Sequence, residues 1–378
     1  MWKRAFIFDK HCYTSFNMSW LTNIISNNDG KGLEETKKNA GKTHLYITVE
    51  NTRVCFLEID ESVSPNRIVS REEFFLGPIE DLEEGVPVRD LFGTLLKLFT
   101  AHKEILENKE TISVAIPAEG VFFRNIEVPK LTEADMQKLV FAEIKKTLPV
   151  DFSQVLLAQN DLGTRHENMK SFFCVGIQKM LFENFKSLFL KFNLAPYFEI
   201  EVFSLARIAA RDNIPKLIVQ IERVSSYLIF LEGQIIQDVR LLDFGANDIN
   251  KNMQKDLGLT FSQIETLKNS YGRLQDNGRM GVKIIDEYTK ELTKKIAKNI
   301  SMQILDYEKK QTLEIKEVVI SGIEISSKIK KAIVDEFDAE LKVDFINERN
   351  FGNYVSDNFS LDELKRYAQC FGLAQRRK

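Results

Sequence analysis

Two stretches of the chain repeat one pattern about 170 residues apart, and this repeat constrains the fold more than any other feature. His44–Val49 and Arg53–Ile59 are apolar, β-branched runs separated by Glu50-Asn51-Thr52, the layout of a hairpin, and a third strand follows at Glu73–Leu76. Leu217–Ile221 and Ser225–Leu231 repeat that layout, and Ile235–Leu242 follows the turn Glu232-Gly233-Gln234. A meander built twice predicts two related lobes. The 378 residues suit two or three compact units, and 44 % apolar residues supply their cores. Only 18 glycines and 8 prolines occur, which favours a helix-rich α/β chain and argues against several glycine-rich loops.

Between the meanders, residues 111–194 read as a self-contained α/β unit. Strands are expected at Ile112–Ile116, Val121–Val128, Val155–Gln159 and Ser171–Ile177. Thr132 caps a helix whose first turn carries Glu133 and Asp135 and whose last carries Lys145 and Lys146, both suited to the helix dipole. A second helix is expected at Lys179–Phe192 and a third at Phe203–Arg211. Helices dominate 248–312, where Ile285, Tyr288, Leu292, Ile296, Ile300 and Ile304 recur at helical spacing. A strand at Glu317–Ser321, a helix at Ser326–Glu336, a strand at Leu341–Phe345 and a helix at Leu361–Phe371 close the chain. The resulting division is an N-terminal extension or linker, 1–42; a first lobe, 43–110, completed by 195–213 and 361–375; the inserted unit, 111–194; and a second lobe, 214–360.

Several function classes are excluded. A net charge of −3 offers no basic excess, so no nucleic-acid partner is expected. Cys12, Cys55, Cys174 and Cys370 lie far apart and read as buried thiols in a reducing compartment. The four histidines show no metal-binding spacing, so no metal is expected. No apolar run reaches the length of a membrane helix, and Asp9, Lys10 and His11 interrupt any signal-peptide core, so the chain reads as cytoplasmic. P-loop and serine-hydrolase motifs are absent, and no catalytic residue is assigned.

The order of elements carries a resemblance. Val114-Ala115-Ile116-Pro117, Phe123-Arg124-Asn125-Ile126-Glu127-Val128-Pro129 and Phe141-Ala142-Glu143-Ile144 through Leu148-Pro149 resemble the inserted domain of the type IV pilus assembly protein PilM family. Phe244-Gly245-Ala246-Asn247-Asp248, Asp256-Leu257-Gly258-Leu259-Thr260 and the terminal Phe371-Gly372-Leu373-Ala374 continue the likeness over about 43–375. The resemblance implies a two-lobed actin-like (ribonuclease H-like) α/β fold with a subdomain inserted in the first lobe. It also implies an ATP site between the lobes, built from two acid–x–Gly loops and a Gly-Gly turn.

Those loops are degenerate here. Thr48 stands where the resemblance places an aspartate and Glu50 where it places glycine; Gln220 and Glu222 do the same in the second meander. The adenosine turn keeps only Gly322 of its glycine pair, with Glu324 nearby. Glycine lets backbone N–H groups approach phosphate, whereas a glutamate repels it. Arg53 and Arg223 are expected to pair with Glu50 and Glu222 and fill the gap. The expected activity is that of a pseudo-ATPase, with ATP and Mg²⁺ as cofactors only if the degenerate loops still bind them. The resemblance implies a scaffold that grips the N-terminal tail of a PilN-like inner-membrane protein in a groove between first lobe and insert. Phe122, Phe123, Arg124 and Phe141 are the candidate groove residues. Pilus motor ATPases and a second copy of the chain are further candidate partners. The alternative is a nucleotide-switched filament former of the FtsA type. A type II secretion subunit of the same fold is a weaker resemblance.

Overall fold

The computed structural model describes residues 43–50, 52–63, 66–76, 90–166, 168–210, 212–260, 263–264, 266–267, 280–311, 313–322, 327–336, 341–347, 350–351 and 361–377. The extension 1–42 and Glu324 therefore lie outside the described residues.

Both meanders form, and each becomes one side of a five-stranded sheet. In the first sheet, β1 (Thr43–Val49), β2 (Arg53–Asp60) and β3 (Arg67–Phe75) are antiparallel. Parallel strands β4 (Thr111–Ile116) and β8 (Tyr197–Ile200) extend it, in the order β3-β2-β1-β4-β8. The second sheet has the same plan. Strands β9 (Lys216–Ile221), β10 (Ser226–Glu232) and β11 (Ile235–Leu242) form the meander, and parallel β12 (Glu317–Gly322) and β13 (Lys342–Phe345) complete β11-β10-β9-β12-β13. The central strands are buried on both faces, which is why β1 and β9 read as largely apolar runs without alternation. Strand β3 begins six residues earlier than its apolar end suggests, because it is an edge strand with charged residues facing water.

The inserted unit is smaller than the sequence suggests. Strand β4 pairs with β1 (Thr48 opposite Ala115) and so belongs to the first lobe. Helix α3 (Lys179–Leu190) does too: Phe182, Phe185 and Phe189 are buried in the first-lobe core against Phe198 and against Phe92 and Phe99 of α1 (Leu91–Ala101). What remains is a three-stranded sheet, β5 (Val121–Pro129), β7 (Met169–Gln178) and β6 (Val155–His166), in the order β5-β7-β6. Helix α2 (Glu133–Thr147) covers one face, and the Thr132 hydroxyl accepts from the Asp135 N–H at 3.3 Å as its cap. The strand period of two separates Ile126 and Val128, which face α2, from Val121 and Phe123, which join the first-lobe core.

Helix α4 (Glu201–Ala209) leads out of β8 towards the second lobe. Helices α5 (Asn247–Leu257), α6 (Met280–Gln311) and α7 (Ser327–Glu336) lie in that lobe, where Leu292, Ile296, Ile300 and Ile304 of α6 pack against the second sheet. The terminal helix breaks at Tyr367, giving Leu361–Arg366 and then α8 (Ala368–Ala374). Helix α8 crosses α4 so closely that a Cβ on Gly372 would lie 2.1 Å from the Ser204 carbonyl oxygen. Gly372→Ala is therefore expected to cost about 2–3 kcal/mol, the upper range for overpacking, read as a lowered denaturant midpoint with unchanged slope.

Candidate functional site

The two sheets bring four of the sequence-selected residues to equivalent positions. Thr48 and Gln220 sit next to last on the central strands, opposite Cys55 and Tyr227 of the hairpin partners. Glu50 and Glu222 open the following turns. Each closes its turn through its own N–H, Glu50 to the Arg53 carbonyl at 2.9 Å and Glu222 to the Ser225 carbonyl at 3.1 Å. Gly322 ends β12 beside Ile221, with φ +119°. The N–H groups of Glu50 and Glu222 are therefore spent within their own turns.

The Glu50 side of the site is an internal ion pair. Arg53 donates to both Glu50 oxygens, from Nε at 2.6 Å and NH2 at 2.7 Å, and both side chains are about 5 % exposed. NH1 of Arg53 also reaches Glu73 at 3.2 Å, which in turn meets Arg366 at 3.1 Å. Burial alone would lower the Arg53 pKa, but the Glu50 carboxylate more than offsets it and the guanidinium stays charged.

The Glu222 side differs from expectation. Arg223 does not pair with Glu222; its guanidinium lies over the Phe75 ring, 5.0 Å from the centroid. Glu222 Oε1 instead accepts from the Tyr227 hydroxyl at 2.9 Å and from Gln220 Nε2 at 3.4 Å. Burial, then repulsion from Glu50, pushes the Glu222 pKa up to about 8. Gly245, in the acid–x–Gly stretch Asp243-Phe244-Gly245 just after β11, packs against this turn. A Cβ there would lie 2.4 Å from the Arg223 carbonyl oxygen, so its close approach serves the protein's own backbone.

Sequence reasoning missed Glu201. It opens α4 with 2 % exposure, taking the Ala118 N–H on Oε1 at 2.7 Å and Gln369 Nε2 on Oε2 at 3.0 Å. Burial, then the Glu222 charge, raises its pKa well above the usual carboxylate range. Its signal was a carboxylate at the head of a mostly apolar helix. Glu119, just before β5, accepts from Ser225 Oγ at 3.0 Å and adds a further negative group. Among the described residues, no set of His, Cys, Asp and Glu side chains is arranged to hold a metal ion.

The groove candidates divide. A groove of about 940 Å³ runs between β5 of the insert and the second lobe, where β11 and α6 form its far wall. Phe122, Phe123 and Arg124 border it; Leu241, 43 % exposed, stands opposite. The Phe123 ring itself is buried and stacked on Phe173, so it supports the strand from behind. Phe141 lies elsewhere, on α2 against Phe152. Strands β5 and β11 are both sheet edges. Arg240 braces the wall through Asp238 at 2.8 Å and Asp306 at 2.9 Å.

Removing Arg53 leaves Glu50 buried and unpaired. Arg53→Met is expected to cost about 3–5 kcal/mol, and adding Glu50→Gln to restore most of it; denaturation of both variants checks this.

Comparison with known proteins found no matching family model and no matching curated protein. Solved structures do match. A chain of the PilM–PilN type IV pilus biogenesis complex superposes with a TM-score of 0.67 over 88 % of this chain and 98 % of its own, at 19 % identity. The ethanolamine utilization protein EutJ from Carboxydothermus hydrogenoformans gives a TM-score of 0.50 over 88 % and 89 %, at 11 % identity. Among the described residues no helix is long and apolar enough to cross a membrane. The duplicated five-stranded sheets and these likenesses identify the fold as the two-lobed actin-like ATPase fold, in a form similar to that of the pilus complex.

Proposed function

We propose that this protein is a scaffold of a type IV pilus assembly machine and does not hydrolyse ATP. The observation that carries the proposal is the likeness to the pilus-complex chain over nearly its whole length, joined to an interlobe gap filled by side chains. The Glu50–Arg53 pair occupies one phosphate turn, and Tyr227 and Gln220 engage Glu222 at the other. A rigid two-lobed body without a nucleotide suits an adaptor.

On this reading the scaffold is held at the inner membrane by a PilN-like bitopic protein, whose extended cytoplasmic tail lies against the insert. The groove at Phe122 and Arg124 suits such a tail. The free edge of β5 offers backbone hydrogen bonds, Leu241 offers an apolar contact, and Arg240 and Asp306 satisfy each other instead of demanding a charged ligand. The filled gap weighs against a nucleotide-switched filament former. Contacts with pilus motor ATPases would follow from the adaptor role.

Calorimetry tests both halves. Titration of the full chain with a synthetic N-terminal tail of the organism's PilN-like protein is expected to show micromolar binding, weakened at least tenfold by Leu241→Glu and unchanged by Phe141→Ser. Unchanged affinity in Leu241→Glu would move the tail to the face of the insert next to the first lobe. No tail binding at all would overturn the scaffold reading. Mg-ATP is expected to give no heat; micromolar Mg-ATP binding would make the nucleotide switch the correct reading.

A further inference from the structure

The outward side of α6 carries two apolar residues and a run of lysines that folding does not use. The inward stripe of this helix, Leu292, Ile296, Ile300 and Ile304, is buried in the second-lobe core. Helical spacing puts Lys294, Lys298, Met302, Leu305 and Lys309 in one stripe on the opposite side, with Lys295 flanking it, and all six are exposed. Met302 is 60 % exposed and Leu305 59 %. Neither packs against the second-lobe core. Among the described residues the four lysines have no ion-pair partner. The nearby acids are engaged elsewhere: Asp306 by Arg240 at 2.9 Å and Lys310 at 3.0 Å, and Glu308 by the Ile315 N–H at 2.8 Å. Glu287 and Glu291, also exposed, lie towards the start of the helix, before the stripe.

We propose that this face of α6 lies on an anionic phospholipid surface, with the lysines in the headgroup layer and Met302 and Leu305 turned towards the acyl boundary. Charge complementarity selects the partner. From 294 to 309 the outward face presents four unpaired positive charges and no unengaged acid, on a chain whose net charge is −3. An exposed apolar pair between lysines is the pattern of a helix that rests in a membrane interface. A nucleic-acid surface fits less well. The stretch from 287 to 311 contains no arginine to fork onto phosphates, and its stripe carries no aromatic ring on which a base could stack. The same helix supplies Asp306, Lys310 and Gln311 to the groove beside β5, so the lipid-facing side borders that groove. The contact is made by α6 itself and stands whether or not a partner tail fills the groove.

The two kinds of residue contribute differently. A lysine held near an anionic surface strengthens partitioning about fivefold, and salt removes that gain because the surface potential falls off within a Debye length, about 8 Å at physiological ionic strength. The apolar pair adds a part that salt does not screen, roughly threefold for each side chain that leaves water only in part. Charge therefore sets the choice of lipid, and Met302 and Leu305 keep the helix at the surface.

The experiment is sedimentation of the full chain with vesicles of phosphatidylcholine, alone or mixed with phosphatidylglycerol. The wild type is expected to bind the mixed vesicles at low salt, to ignore the neutral ones, and to be released by high salt. Lys294→Glu with Lys298→Glu is expected to weaken binding at least about tenfold. Lys97→Glu with Lys138→Glu makes the same change of net charge at exposed positions on α1 and α2 and is expected to leave binding nearly unchanged. Leu305→Ser, which alters no charge, is expected to weaken binding roughly threefold. No binding to the mixed vesicles would overturn the proposal, as would equal losses in the two double variants, since net charge alone would then explain the effect. Displacement of the vesicles by a DNA or RNA oligonucleotide at equal salt would make the face a nucleic-acid surface and would overturn it too. The vesicles contain no tail peptide, so this result and the tail titration fail or succeed separately.

Discussion

The crossing of α4 and α8 at Ser204 and Gly372 is the constraint on which the rest depends. Helix α4 links the two lobes in sequence, and α8 returns to pack against β1 and α4. Because Gly372 has no side chain, the two backbones meet at contact distance. That approach brings Gln369 to Glu201 and Cys370 to Thr48. The residues at the interlobe gap are thus positioned by backbone packing behind them. A single methyl group at the crossing would displace all of them together, which is why the geometry of the gap and the stability of the fold are linked.

The two lobes then solve one problem in two ways. Each places a glutamate at the start of the same turn, closed by the same N–H to carbonyl bond. In the first lobe the neighbouring Arg53 neutralises the carboxylate with a bidentate ion pair. Its counterpart in the second lobe is Ser225, which has no charge to offer and donates to Glu119 instead. Tyr227, opposite Gln220 where the first lobe has Cys55 opposite Thr48, supplies a hydroxyl. A hydroxyl supports a carboxylate far less than a guanidinium does. The imbalance falls on Glu222 and, through it, on Glu201. The duplicated backbone is symmetric, and the chemistry set on it is not.

Much of this was legible in the sequence, for physical reasons. Buried central strands cannot alternate polar and apolar residues, so β1, β2, β9 and β10 stood out. Glutamates in place of glycine were visible at Glu50 and Glu222 because a turn is short and its residues can be counted. Other features rest on contacts distant in sequence. Strand β4 looked like part of the insert because it precedes β5; only its pairing with β1 assigns it to the first lobe. Strand β8, four residues long, carries too little pattern to be seen. Arg223 and Arg53 looked equivalent, but Phe75 captures one and Glu50 the other. Glu201 was hidden because a lone carboxylate at a helix start ordinarily serves the dipole, and only the tertiary fold turns it inward.

The second-lobe turn meets the rest of the chain through side chains: Ser225 donates to Glu119 and Arg223 lies over Phe75. The Glu50–Arg53 pair is a bidentate ion pair to a guanidinium that stays charged. The second turn is different, since burial and repulsion from Glu50 push the Glu222 pKa up to about 8 and its charge changes near neutrality. That turn belongs to the sheet whose free edge, β11, forms one wall of the groove, while β5 of the insert forms the other. The Glu222 turn and that groove wall are thus parts of one sheet, so the packing behind the turn and the shape of the groove are set by the same strands.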